Sequence, residues 1–275
     1  MKISELARTA NLRRADAVTM IYRAQAGHTG GAMSVLDILT CLFYDVMKFD
    51  PKNPKMPDRD RFLLSKGHSC EGYYAILADL GFFPKSDLLT ASMPGSQIIG
   101  HPNNKVKGIE FSTGALGHGL PIGVGIALGA KRTGKDFRTY VVMGDGEQAE
   151  GSVWEAAMSA ANYKLDNLYA VVDRNHLQIS GNTEDVMALG DLAAKWTAFG
   201  WDVKSGNGND MQFLHDYFHS QKPEGKPHML IAETIKGKGL PFAENKAEWH
   251  HKVPDAELLK EAYQSLGVEG VEWVK

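Results

Sequence analysis

Polar and apolar positions alternate with a helical period from Ile3 to Gln25, and Gly27 closes the run, so the chain should open on a long amphipathic helix. A second helical pattern runs from Ser34 to Tyr44, with Ser34 as its N-cap. Pro51 to Asp60 is polar and proline-rich and reads as a surface loop, followed by a short strand at Arg61-Phe62-Leu63-Leu64-Ser65. Cys70 to Leu80 is helical and Gly81 ends it. Leu120 to Lys131 is a helix carrying glycines at 123, 125 and 129. Glycine lowers helix propensity, so this helix implies that something packs very close to it. Trp201-Asp202-Val203 and Met229 to Thr234 read as later strands, with helices at Met211 to Gln221 and Ala256 to Leu266.

Between these lies a pattern with chemical content. Thr139-Tyr140-Val141-Val142-Met143 is a β-branched and aromatic run leading into Gly144-Asp145-Gly146. Leu168 to Asp173 is a second such run, leading into Arg174-Asn175, and Val153 to Tyr163 between them is an alanine-rich helix. This strand–helix–strand unit predicts two parallel neighbours joined by a right-handed crossover. Asp145 and Asn175, with 28 residues between Gly146 and Asn175, would then meet at the carboxyl edge of an open α/β sheet, where such sheets bind ligands. A carboxylate, an amide oxygen and a main-chain carbonyl just beyond Asn175, at Leu177, suit Mg²⁺ or Ca²⁺, which take hard oxygen ligands. Gly144 and Gly146 would let the backbone turn sharply and approach a phosphate, with the amino end of the next helix adding partial positive charge. A lone Gly-Asp-Gly would be only a tight turn; the second strand and its Asn make it a candidate site.

Composition narrows the class. The 275 residues, 43% of them hydrophobic, can bury a large core, and no linker, repeat or low-complexity tract divides them. A net charge of −3 without a long basic run argues against a nucleic-acid surface. Cys41 and Cys70 lack metal-type spacing, no signal-peptide pattern precedes the first helix, and no apolar run nears the ~20 residues that span a bilayer. The expectation is a cytoplasmic protein without membrane or nucleic-acid partners. His28, His68 and His101 each sit beside glycine at an expected element end, where neutral imidazoles can donate hydrogen bonds or shuttle protons near pH 7.

Four stretches, in order, resemble the transketolase family of thiamine diphosphate enzymes. They are Gly27-His28-Thr29-Gly30-Gly31, Ser65-Lys66-Gly67-His68, Gly100-His101-Pro102 with Ser112 to Gly119, and Gly144 to Gly151. The resemblance covers roughly residues 10 to 255 and only the amino-terminal half of full-length members. It implies the thiamine diphosphate-binding fold, a doubly wound α/β fold with a mainly parallel sheet and helices on both faces, as one diphosphate-binding domain over residues 1–275. It implies metal ligands at Asp145, Asn175 and Leu177, and cofactor contacts from His68, Gly114, Ala115, Leu116, Gly146, Asn175 and His250. His28, His101 and His250 would face substrate, with His251 leaving the last register open. Glu150 resembles a glutamate of a carboxylate network between two active sites. His118 stands where many relatives carry Gln, which should alter a hydrogen bond without abolishing binding.

The family's catalytic glutamate, which protonates the aminopyrimidine ring, belongs to a separate pyrimidine-binding domain, and nothing between Val253 and Lys275 provides one. The resemblance therefore implies a split enzyme that moves a two-carbon ketol unit between sugar phosphates. A carboxy-terminal transketolase subunit would be its partner, in a heterotetramer of two chains each. A nicotinamide-binding domain is disfavoured because Gly144, Gly146 and Gly151 lack Gly-x-Gly-x-x-Gly spacing. A deoxyxylulose-phosphate synthase-like enzyme, the first component of a 2-oxo acid dehydrogenase, or a non-catalytic cofactor-binding protein remain as alternatives.

Overall fold

The computed structural model describes residues 1–274. Helices α1 (Ile3–Ala24), α2 (Thr29–Ser34) and α3 (Leu36–Cys41) run into a π-helical turn at Leu42–Val46. Strand β1 (Arg61–Leu64) and α4 (Cys70–Asp79) come next, then α5 (Gly119–Arg132), β2 (Thr139–Gly144), α6 (Gly151–Asn162) and β3 (Leu168–Arg174). A tight hairpin, β4 (Leu177–Gln178) and β5 (Gly181–Asn182), leads through α7 (Thr183–Val186) and α8 (Leu192–Ala198) to β6 (Asp202–Asn207). Helix α9 (Met211–Ser220), β7 (His228–Glu233) and α10 (Ala256–Leu266) complete the order.

Five strands form one parallel sheet in the order β1-β2-β3-β7-β6. Successive side chains on a strand point to opposite faces, and here both faces are apolar. Tyr140, Val142, Tyr169, Val171, Leu230 and Ala232 join a core shared with α1, α3, α4, α9 and α10. Val141, Met143, Ala170, Val172, Met229 and Ile231 join a second core with α5, α6 and α8. That explains the continuous apolar runs at Thr139–Met143 and Leu168–Val172: a parallel strand covered on both sides has no polar face to alternate with. The doubly wound α/β fold is as the sequence implies.

Three local expectations fail for tertiary reasons. The predicted Ser34–Tyr44 helix is broken: Ser34 is the last residue of α2, not an N-cap, and its hydroxyl donates to Asp173 at 2.6 Å. Gly30 and Gly31 are helical although glycine disfavours it, because a Cβ at Gly30 would lie 3.0 Å from the Trp249 carbonyl oxygen and one at Gly31 2.8 Å from Ser69 Oγ. Helix α1 is not simply amphipathic, since every residue from Arg13 to Ile21 is buried. Its charges survive there as ion pairs, Arg14 with Asp37 at 2.6 Å and Arg13 with Asp16 at 2.9 Å. The close approach expected at α5 occurs at one glycine only. A Cβ at Gly123 would sit 2.5 Å from Val141 Cγ2, whereas Gly125 and Gly129 face open space.

Candidate functional site

The carboxyl ends of four parallel strands supply one cavity of about 350 Å³. Lys66 follows β1, Asp145 follows β2, Asn175 follows β3, and Lys236 lies just past β7, all of them lining it. Asp145 is buried and pinned: Oδ1 accepts from the Gly146 amide at 2.8 Å and Oδ2 from the His176 amide at 2.6 Å. The Asn175 side-chain oxygen accepts from the Leu177 amide at 3.2 Å, and both residues line the cavity. Asp145, Asn175 and Leu177 all line the cavity, and a carboxylate, an amide oxygen and a carbonyl oxygen are the donor types that suit Mg²⁺ or Ca²⁺.

Above these oxygens stand the histidines. The His28 ring lies 5.4 Å from that of His68, 5.9 Å from His101, 5.5 Å from His250 and 4.5 Å from His251, centroid to centroid. His28 Nδ1 is buried without a hydrogen-bond partner among the described residues. Burial, then the charges of His251, His101, Lys236 and Lys66, push His28 down to about 4. Burial, with Lys236 the next cause, pushes His250 down to about 3. Both imidazoles are therefore neutral at pH 7. His250 Nδ1 accepts from Lys236 at 3.0 Å, and the same ammonium donates to the Leu177 carbonyl at 3.1 Å. Burial and the neighbouring Lys66 lower Lys236 to about 8, against the opposing pull of Asp145 and Asp173.

Stability should respond to these shifts. An unfolded histidine titrates near 6.5, so between pH 6.5 and about 4 the unfolded chain holds protons that folded His28 and His250 refuse. Stability from this source is complete above pH 6.5 and is lost as the pH falls. Glu71, pushed up to about 7 by burial, takes up a proton over the same window and acts in the opposite sense. The measurable quantity is therefore a difference. A His28→Gln/His250→Gln variant should lose less denaturant resistance than the wild type between pH 7 and pH 5; equal losses would contradict the neutral assignment.

The cavity brings together His28, His68, Gly114, Leu116, Asp145, Gly146, Asn175, Leu177 and His250. His101 stands at its edge against Gly114, whose φ of 131° and missing Cβ are required there: a Cβ would lie 2.5 Å from His101 Cδ2. His250 lines the cavity and His251 does not, although both rings approach His28. Ala115 and Glu150 are outside the cavity lining, and Glu150 is exposed. Glu150 precedes α6 at its N-cap position without a side-chain capping bond, while a short 3-10 turn, Gly146–Ala149, separates that helix from Asp145. Neither Gly144 nor Gly146 takes a positive φ, so Gly146 contributes space, not a special turn; a Cβ there would crowd Gln178 at 3.2 Å.

Sequence reasoning passed over three groups. Lys236 shows in the sequence only as a lysine beside Gly237 just past a strand's carboxyl end, the position that should have raised it. Glu147 is buried and accepts from the Gly117 amide at 2.8 Å, the Gly144 amide at 3.0 Å and the Ser65 hydroxyl, clamping three loops together. Asp173 lies beneath the floor, holding Lys66 at 2.5 Å along with Ser34 and Thr234. Nothing in the sequence separates Glu147 and Asp173 from ordinary surface acids.

The fold and this site have known counterparts. Residues 6–273 match the family model described as transketolase, thiamine diphosphate binding domain, so the chain belongs to the transketolase family as its thiamine diphosphate-binding, amino-terminal part. It is 48% identical over 267 residues to an apulose-4-phosphate transketolase subunit from Phocaeicola vulgatus, covering 97% of this chain and 95% of that one. It is 39% identical to a 6-deoxy-6-sulfo-D-fructose transketolase subunit from a Clostridium species, covering 97% and 98%. The crystal structure of Campylobacter jejuni transketolase superposes with a TM-score of 0.91 at 31% identity, over 98% of this chain and 43% of that one. This chain thus spans less than half of a full-length transketolase and nearly all of the shorter relatives.

Proposed function

We propose that this chain is the diphosphate-binding subunit of a split transketolase. With a carboxy-terminal partner it would transfer a two-carbon ketol unit from a ketose phosphate to an aldose phosphate. The observation that carries the reading is the cavity itself, which Asp145, Asn175 and Leu177 line together with His28, His68 and His250. Thiamine diphosphate, when bound, supplies an electron sink for the carbanion that ketol transfer requires. The chain's own residues have separable tasks. Asp145, Asn175 and the Leu177 carbonyl would hold a Mg²⁺ or Ca²⁺ ion, with Gly146, His68 and Lys236 beside the diphosphate. Gly114, Ala115 and Leu116 would cup the aminopyrimidine. His28, His101 and His250 would hydrogen-bond sugar hydroxyls and move protons between them, a neutral imidazole offering both the acceptor that takes a proton and an N–H that donates. Glu150, exposed on this chain, would reach its carboxylate network only across an assembled interface.

Two observations support a partner. Relatives of matching length are named as transketolase subunits, and Ile179, on the cavity wall, is 75% exposed. A heterotetramer with two chains of each kind would complete two such sites. Donor identity should be approached through the named relatives, with apulose 4-phosphate and xylulose 5-phosphate compared as donors. In the assembled enzyme His101→Ala should lower kcat by about 10²–10⁴, the usual worth of a proton-transfer group, while calorimetry shows cofactor binding retained. Wild-type kinetics for donor and acceptor in that variant would remove His101 from the substrate site.

A further inference from the structure

Outside the cavity, one cluster combines nitrogen and oxygen donors at bonding range. His215 and His219, one turn apart on α9 and therefore on one face, both turn toward Asp45 in the π-helical turn Leu42–Val46. A single carboxylate oxygen, Asp45 Oδ2, lies 2.7 Å from His215 Nδ1 and 2.9 Å from His219 Nε2. The three candidate ligand atoms fall within 4.8 Å of one another, and the two rings are 4.4 Å apart. We propose that Asp45, His215 and His219 form a binding site for a divalent transition metal of the zinc class.

The donor set makes the choice of ion. Two imidazoles and one carboxylate suit Zn²⁺, Co²⁺ or Ni²⁺, whereas Mg²⁺ prefers oxygen ligands and keeps its water. Tetrahedral bonds of about 2.0–2.2 Å separate ligand atoms by roughly 3.3 Å, so each nitrogen must retreat from Asp45 by about half an ångström. The side chains can do so, since His219 is 49% exposed and His215 32%. Solvent on the open side leaves room for water in the remaining positions. Without metal, both rings must spend an N–H on the same oxygen; with metal, both turn lone pairs inward and the carboxylate offsets half of the ion's charge. The bound ion would fasten the π-helical turn to α9, two segments that already pack together.

The test is a titration of metal-free full chain with Co²⁺, whose visible absorption reports nitrogen coordination, followed by Zn²⁺ in a calorimeter. Wild type should bind one equivalent at this site. His219→Ala and Asp45→Asn should each weaken that step on the order of a hundredfold or more, with unchanged denaturation midpoints in the absence of metal confirming that both variants fold. His28→Ala serves as the control for the separate histidine cluster at the cavity and should keep the step. Uptake unaltered in His219→Ala and Asp45→Asn, uptake abolished by His28→Ala alone, or no uptake by wild type would each overturn the site.

Discussion

Purified without any second polypeptide and assayed with a ketose phosphate and an aldose phosphate, this chain is expected to form no ketol-transfer product. Its carboxylates are the reason. The proposed chemistry needs an acid to protonate the aminopyrimidine ring, and Asp145 and Glu147 are the acidic side chains lining the cavity among the described residues. Both are committed. Asp145 accepts from the Gly146 and His176 amides, and Glu147 from Gly117, Gly144 and Ser65. Moving either would strand buried amides, at about 1–3 kcal/mol each. Loss of a proton-transfer group alone is worth about 10²–10⁴-fold, so the rate should lie at least about 10² below the assembled enzyme. Adding the carboxy-terminal subunit should restore turnover and shift the chain to a larger species on a sizing column. Robust product formation by the lone chain would end the split reading, whichever ketose served as donor.

Asp145→Ala should produce the second large effect. Asp145 is the one charged oxygen donor among the three proposed metal ligands, and its removal leaves the amide oxygen of Asn175 and the Leu177 carbonyl to hold a divalent ion. A doubly charged ion in a buried site without its carboxylate is poorly compensated. Cofactor affinity in the presence of Mg²⁺ should fall well beyond the roughly tenfold that 1.4 kcal/mol represents. Because the Gly146 and His176 amides also lose their acceptor, the variant should be somewhat less stable; Asp145→Asn, which keeps an acceptor, controls for that. Calorimetric titration of thiamine diphosphate into the assembled variants measures both. Undiminished binding by Asp145→Ala would show that the metal is held elsewhere.

The parts of this protein legible from the sequence are those where local pattern and tertiary role coincide. The β-branched runs at Thr139–Met143 and Leu168–Asp173 are strands because both faces are buried, and their periodless apolarity says as much. Gly144-Asp145-Gly146 and Asn175 are readable as a candidate site because parallel neighbours must end at the same edge. Helix α10 falls where its pattern places it.

Elsewhere the outcome depends on groups distant along the chain. Ser34 is a donor to Asp173, 139 residues away, instead of a helix cap. Arg13 and Arg14 lie in the interior because Asp79 and Asp37 are positioned to receive them. Lys236 is held in the cavity by the Leu177 carbonyl and the His250 ring, neither adjacent to it in sequence. The sequence alone determined the strand–turn–helix grammar and the oxygen donors that ride on strand ends, since both follow from short-range periodicity. Only the tertiary structure decided which buried charges pair, which histidines converge and lose their charge, and that Asp45 meets His215 and His219. Those outcomes depend on desolvation and on contacts across the chain, which no local pattern encodes.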